Sequence, residues 1–74
     1  MQIEKTHVLP YRLNQLVSSY LQDGYFQVVD TNVIYDRFIK MMHARNGNEL
    51  IIKVLAGKVT VFLNRELIKT IIQI

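Results

Sequence analysis

Between Glu49 and Ile72 three short, β-branched, apolar runs are separated by only two residues each, at Gly57-Lys58 and at Asn64-Arg65. Runs this short are strand-sized rather than helix-sized, and two residues is the commonest length of a β-hairpin loop, so the stretch is constrained to an antiparallel meander. Asn46-Gly47 adds an earlier hairpin signal, because both residues tolerate the positive φ of a type I′ turn. Strands are therefore expected near 34–45, 49–56, 59–63 and 66–72. Tyr25 to Val29 supplies a fifth β-branched and aromatic run, ending at the turn cluster Asp30-Thr31-Asn32. In the segment 33–45, Ile34, Phe38, Met41 and Met42 also fit a helical stripe with Asn46-Gly47 as its C-cap, which makes a second helix the alternative there.

Before Gly24 the period is different. Leu9, Leu13, Leu16, Val17, Tyr20 and Leu21 recur at three- and four-residue steps, one face of an amphipathic helix over Leu9 to Asp23. Pro10 suits the first helical turn, where a missing N–H costs nothing, and Gly24 can take the left-handed conformation that ends a helix. The expected fold is α+β: a single small domain, 1–74, with an N-terminal amphipathic helix packed on one face of an antiparallel β-meander of four to five strands.

The two-residue turns imply a register. Around Gly57-Lys58, Ala56 faces Val59, Val54 faces Val61 and Ile52 faces Leu63. Around Asn46-Gly47, His43 faces Leu50, Met41 faces Ile52 and Ile39 faces Val54. Around Asn64-Arg65, Ile68 faces Val61 and Thr70 faces Val59. This apolar side is the one the helix must cover. The reverse side then carries Phe38, Lys40, Met42, Ile51, Lys53, Leu55, Thr60, Phe62, Asn64, Leu67, Lys69 and Ile71. Lys40 falls opposite Lys53, an unfavourable like-charge pair, and large apolar side chains around three lysines form a patch that a monomer leaves exposed. The last strand, Leu67 to Ile74, is expected at a sheet edge, where unpaired backbone groups invite another chain.

Composition limits what this patch does. The chain has 74 residues, no cysteine and three isolated glycines, so disulfides, thiolate metal sites and phosphate-cradling glycine loops have no residues to build them. His7 and His43 lack the helical spacing of a metal pair, and His43 reads as a rim histidine bonded to backbone or water. The carboxylates Asp23, Asp30, Glu49 and Glu66 sit beside helix ends or turns, and Ser18 and Ser19 lie mid-helix. An enzyme is not expected, nor a cofactor, a metal or a small-molecule substrate.

Residues 1–37 hold three basic against four acidic side chains and residues 38–74 hold six against two, so the charge of +3 belongs to the C-terminal half. Met1 to Val8 carries Glu4, Lys5 and His7, unlike a secretory leader, and every charge-free stretch is far short of the ~20 residues of a membrane span. A cytoplasmic protein that does not enter membranes is expected. Met41 reads as core and Met42 as an adaptable surface contact.

The function expected from these residues is a small non-enzymatic protein–protein interaction module of regulator or inhibitor type. It self-associates, as a homodimer, or meets another protein through the second sheet face or the C-terminal edge strand, with Glu49 and Glu66 as partners for the lysines. The alternative is a nucleic-acid-binding module in which Phe38 and Phe62 stack on bases while Lys40, Lys53, Lys69 and Arg45 neutralise phosphates.

Overall fold

A computed structural model describes residues 1–33 and 36–74. In chain order these form β1 (Gln2–Thr6), α1 (Leu9–Gln22), β2 (Tyr25–Val33), β3 (Asp36–His43), β4 (Glu49–Leu55), β5 (Lys58–Leu63) and β6 (Glu66–Gln73). The strands make one six-stranded sheet in the order β1-β6-β5-β4-β3-β2. Every neighbouring pair is antiparallel except β1 and β6, which run parallel. The α+β class holds, but the sheet is larger than four to five strands and is mixed. β1 carried no period-two signal because Glu4 takes its inward position next to Ile71, and Glu4 is polar.

β3 is a strand throughout Asp36–His43, which overturns the helical alternative for 33–45. Ile39 and Met41 are completely buried, while Phe38, Lys40 and Met42 are half-buried on the opposite side, an alternation of period two. Ile34, counted both as a strand start and in the helical stripe, lies outside the described residues.

Two hairpins close differently from the two-residue reading. The β3–β4 loop has four residues, 44–47: the His43 N–H donates to the Asn48 carbonyl at 2.9 Å and the Gly47 N–H to the His43 carbonyl at 3.0 Å. Gly47 has φ +71. The β4–β5 turn is Ala56-Gly57, with φ +47 and +76, rather than Gly57-Lys58. A type I′ turn needs positive φ at both central positions and favours glycine at the second, which returns Lys58 to the strand.

Each correction slides the pairing by two residues, so the faces are preserved. Ile39 pairs with Ile52, Met41 with Leu50, Ile52 with Val61 and Val54 with Val59. Lys40 therefore lies opposite Ile51, not opposite Lys53.

The β5–β6 turn is Asn64-Arg65 as expected, both at positive φ. Beyond it a bulge at Ile68 shifts the register by one, pairing Val61 with Lys69, Thr60 with Thr70 and Val59 with Ile71. The bulge lets Ile68 stay against the core while Lys69 reaches Glu4. Lys69 and Ile71 consequently belong to the helix side of the sheet. Nor is the last strand an edge: β1 covers it, and the edges are β1 and β2.

α1 connects the two edges, so its 14 residues, about 21 Å of helix, must run across a sheet about 24 Å wide. Leu9, Leu13 and Leu16 bury against Ile39, Met41, Leu50, Ile52, Val59, Val61 and Ile71, with Val17 and Tyr20 packed beside them. Leu21, counted in the apolar stripe, is exposed at the stripe's margin.

Val8 gives the helix no side-chain cap. The Gln73 amide takes that role from β6, its Oε1 accepting the Leu9 N–H at 3.1 Å and its Nε2 donating to the His7 carbonyl at 2.6 Å. At the other end Gly24, φ +102, passes so close to the His43 ring that a Cβ there would lie 2.8 Å from Nε2.

Ala56 occupies a left-handed position that costs an alanine more than an asparagine. Ala56→Asn is expected to stabilise the fold by about 0.5–1 kcal/mol. The check is a higher urea midpoint at unchanged m-value; an unchanged or lower midpoint contradicts the turn assignment.

Candidate interaction face

The side of the sheet away from α1 is built of four cross-strand rows. Leu55, Lys58, Ile72 and Lys5 form the first, and Thr31, Phe38, Lys53, Thr60, Thr70 and Ile3 the second. The third holds Val29, Lys40, Ile51, Phe62 and Leu67, and the fourth Phe26, Met42 and Glu49. Among the described residues no element lies over these rows. Thr70, at 6% exposure, is the deepest side chain of the face, and its hydroxyl donates to the Met1 Sδ at 3.8 Å. Elsewhere on the face Leu55, Ile3 and Phe26 are 60%, 62% and 50% exposed. Phe38, Met42, Ile51 and Phe62 are half-buried by their neighbours.

Of the residues expected here, the fold brings together Phe38, Lys40, Met42, Ile51, Lys53, Leu55, Phe62 and Leu67. Lys69 and Ile71 are excluded by the bulge. Thr70 and Ile72 take their positions, and Lys58, Ile3, Lys5, Phe26, Val29 and Thr31 complete a larger surface than the sequence indicated. The unbroken Asn64-Arg65 register turned Ile71 outward, whereas the bulge turns it inward and Ile72 outward, and β1 offered only Ile3 as an apolar marker.

Lys40 and Lys53 stand inside the face, opposite Ile51 and Phe38 respectively. Lys40 Nζ lies 3.4 Å from the Glu49 carboxylate, a diagonal pair between β3 and β4. Lys53 Nζ sits over the Phe62 ring, 5.2 Å from its centre, a cation–π contact. Beside it a shallow recess of 240 Å³ is bounded by Thr31, Phe38, Lys53 and Leu55, with Asp36, Arg37 and Val54 behind them.

The polar chemistry of the helix side is engaged in holding elements together. Arg12 of α1 grips Glu4 of β1 with two hydrogen bonds, the Nη2 contact at 3.0 Å, and Lys69 stands 3.8 Å away. The Arg12 hydrogen bonds hold the Glu4 carboxyl below its usual range and push the Arg12 guanidinium up. Arg37 likewise bridges to Asp30 at 2.9 and 2.7 Å and lowers that carboxyl. Burial raises the Tyr20 hydroxyl, whose ring meets Tyr25 edge-on at 5.5 Å.

His43 stands against Tyr25 at 4.9 Å, with Nε2 at 2.9 Å from the Asp23 carbonyl and Nδ1 accepting the Arg45 N–H at 3.1 Å. Those partners assign the proton to Nε2 and make His43 the tie between the end of α1 and the β3–β4 loop. Among the described residues no three His, Asp or Glu side chains gather as a metal site. Comparison of the chain with protein-family models, with curated proteins and with solved structures finds no match.

Because the folded Glu4 carboxyl titrates below its unfolded value, its contribution is complete above the ordinary glutamate value of 4.5 and is lost as pH falls through the lowered folded value. Asp30 behaves in the same way from 3.8 downward. Glu4→Gln is therefore expected to flatten the acid limb of a denaturation midpoint measured against pH, and an acid limb identical to the parent's would contradict this role.

Proposed function

We propose that the protein is a small non-enzymatic interaction module, of regulator or inhibitor type, that works by docking its uncovered sheet face on a protein surface, a second copy of the chain being the first candidate. The observation that carries this reading is the open face itself: aliphatic and aromatic side chains on all six strands, interleaved with lysines and threonines, with the only described helix on the other side. A patch of that kind loses water favourably only when another apolar surface meets it.

Aliphatic residues favour a protein partner over a nucleic acid. Ile3, Ile51, Leu55, Leu67 and Ile72 interrupt any stacking platform formed by Phe38 and Phe62. Arg12 and Arg37 are tied to carboxylates on the helix side, and Lys69 lies beside Glu4 there. Docking along the C-terminal strand is set aside, since β1 and β5 flank β6.

An apolar, environment-sensitive dye is expected to brighten on the dilute protein and to lose most of that signal in Phe62→Lys, while the variant keeps a cooperative thermal transition because Phe62 is only half-buried. Absence of dye binding by the parent would count against the reading. Tight oligonucleotide binding that falls steeply with salt would replace it with the nucleic-acid alternative.

A further inference from the structure

Of the two sheet edges, β2 is the unguarded one. β1 has five residues and carries Glu4 and Lys5. β2 has nine, with no lysine and no proline, and leaves Phe26, Val28 and Val29 exposed. Its one charge, Asp30, is held by Arg37. Sheet edges are blunted by shortness, charge, proline or a bulge, and β2 has only the last, at Val28.

The backbone of β3 fixes which groups of β2 face outward. The His43 N–H donates to the Asn48 carbonyl, so His43, Met41, Ile39 and Arg37 turn their backbone groups toward β4, and Met42, Lys40 and Phe38 turn theirs toward β2. Tyr25, Gln27, Asp30 and Asn32 stand opposite the first set. Their N–H and C=O groups therefore point away from the sheet, and their side chains lie on the helix side, while Phe26, Val29 and Thr31 lie on the open face. The extra residue of the bulge brings odd-numbered positions before it and even-numbered positions after it into the same facing.

That shift selects the strand that fits. A regular strand laid along β2 matches the outward groups of one half and is out of step with the other. An oppositely directed strand with the same insertion at the same place matches both. β2 of a second copy is such a strand. With a two-fold axis perpendicular to the sheet between Val28 and Val29, Tyr25 meets Asn32 and Gln27 meets Asp30 of the second copy as hydrogen-bonded pairs, and Phe26 meets Thr31 between them. Each of these pairs joins helix side to helix side or open face to open face. Asp30 falls opposite the Gln27 amide, a donor, and the Phe26 ring falls beside a β-branched side chain, both favourable neighbours.

We infer that β2 pairs antiparallel with β2 of a second copy, joining the two sheets edge to edge. The contact goes beyond the docking reading, because it uses the edge and leaves the two open faces uncovered, side by side.

The test combines sedimentation velocity with a disulfide trap, the chain having no cysteine of its own. A monomer–dimer equilibrium is expected for the parent. Gln27→Pro removes an N–H that β3 does not use, so the monomer keeps its fold while the dimer weakens by more than about tenfold, the loss counting twice. Phe62→Lys, on the open face, leaves dimerisation unchanged. Phe26→Cys and Thr31→Cys, mixed in equal amounts and mildly oxidised, give a mixed disulfide, while neither variant alone links to itself; this trap decides alone if Gln27→Pro fails to fold. A parent that is monomeric at every concentration overturns the inference, and so does a dimer that yields no mixed disulfide. A dimer lost in Phe62→Lys and untouched by Gln27→Pro also overturns it, placing the second copy on the open face and leaving the docking reading standing.

Discussion

One helix covers one face of a sheet. A helix is about 10 Å wide, and laid diagonally it roofs the middle of a surface more than twice that breadth. The completely buried side chains, Ile39, Met41, Leu50, Ile52, Val59, Val61 and Ile71, all belong to the four central strands on the α1 side. The opposite face has only its own neighbours for shelter: the Lys53 ammonium lies over Phe62, and Leu55 stays open to solvent. The docking reading follows from that asymmetry.

Polar side chains are used elsewhere, at the places where one element must be fixed to another. Gln73 closes the start of α1, His43 closes its end, and Glu4 joins β1 to both α1 and β6 through Arg12 and Lys69. Asp30 and Arg37 clasp the β2–β3 ribbon near its far end. Such bridges between partly exposed groups add little stability singly, yet each fixes an orientation that apolar packing leaves free. What remains for the second face is hydrocarbon and aromatic rings interleaved with lysines, threonines and Glu49.

Much of this was legible in the residues. Helical spacing from Leu9 to Tyr20 and the alternation around Ile39, Ile52 and Val61 fix which side chains meet, and two-residue slips of register leave those faces intact. Turn chemistry was harder to place: a four-residue loop at 44–47 and the left-handed Ala56 were hidden because the chain has several ways to reverse at Asn-Gly and Ala-Gly-Lys. The bulge at Ile68 was invisible, since a two-residue turn at Asn64-Arg65 fixes the register only up to the first irregularity beyond it. β1 escaped for a related reason. Its inner residue is a carboxylate whose partner, Arg12, becomes apparent only once the helix is docked.

The pairing of β1 with β6 joins residues 2–6 to residues 69–73, while every other strand pair is closed by a local connection. Loop-closure entropy therefore places the β2–β6 ribbon early in assembly and the β1 seam last, and in the native state the seam is the first hydrogen-bonded row expected to exchange its amide protons. Each such opening turns β6 for a moment into a bare margin with its backbone groups unpaired, a place where the β1 of a neighbouring molecule fits as well as its own. Crowded chains would then trade first strands, a route to swapped assemblies that follows from topology alone and is detectable as deuterium uptake at Glu4 and Thr6 ahead of the central strands.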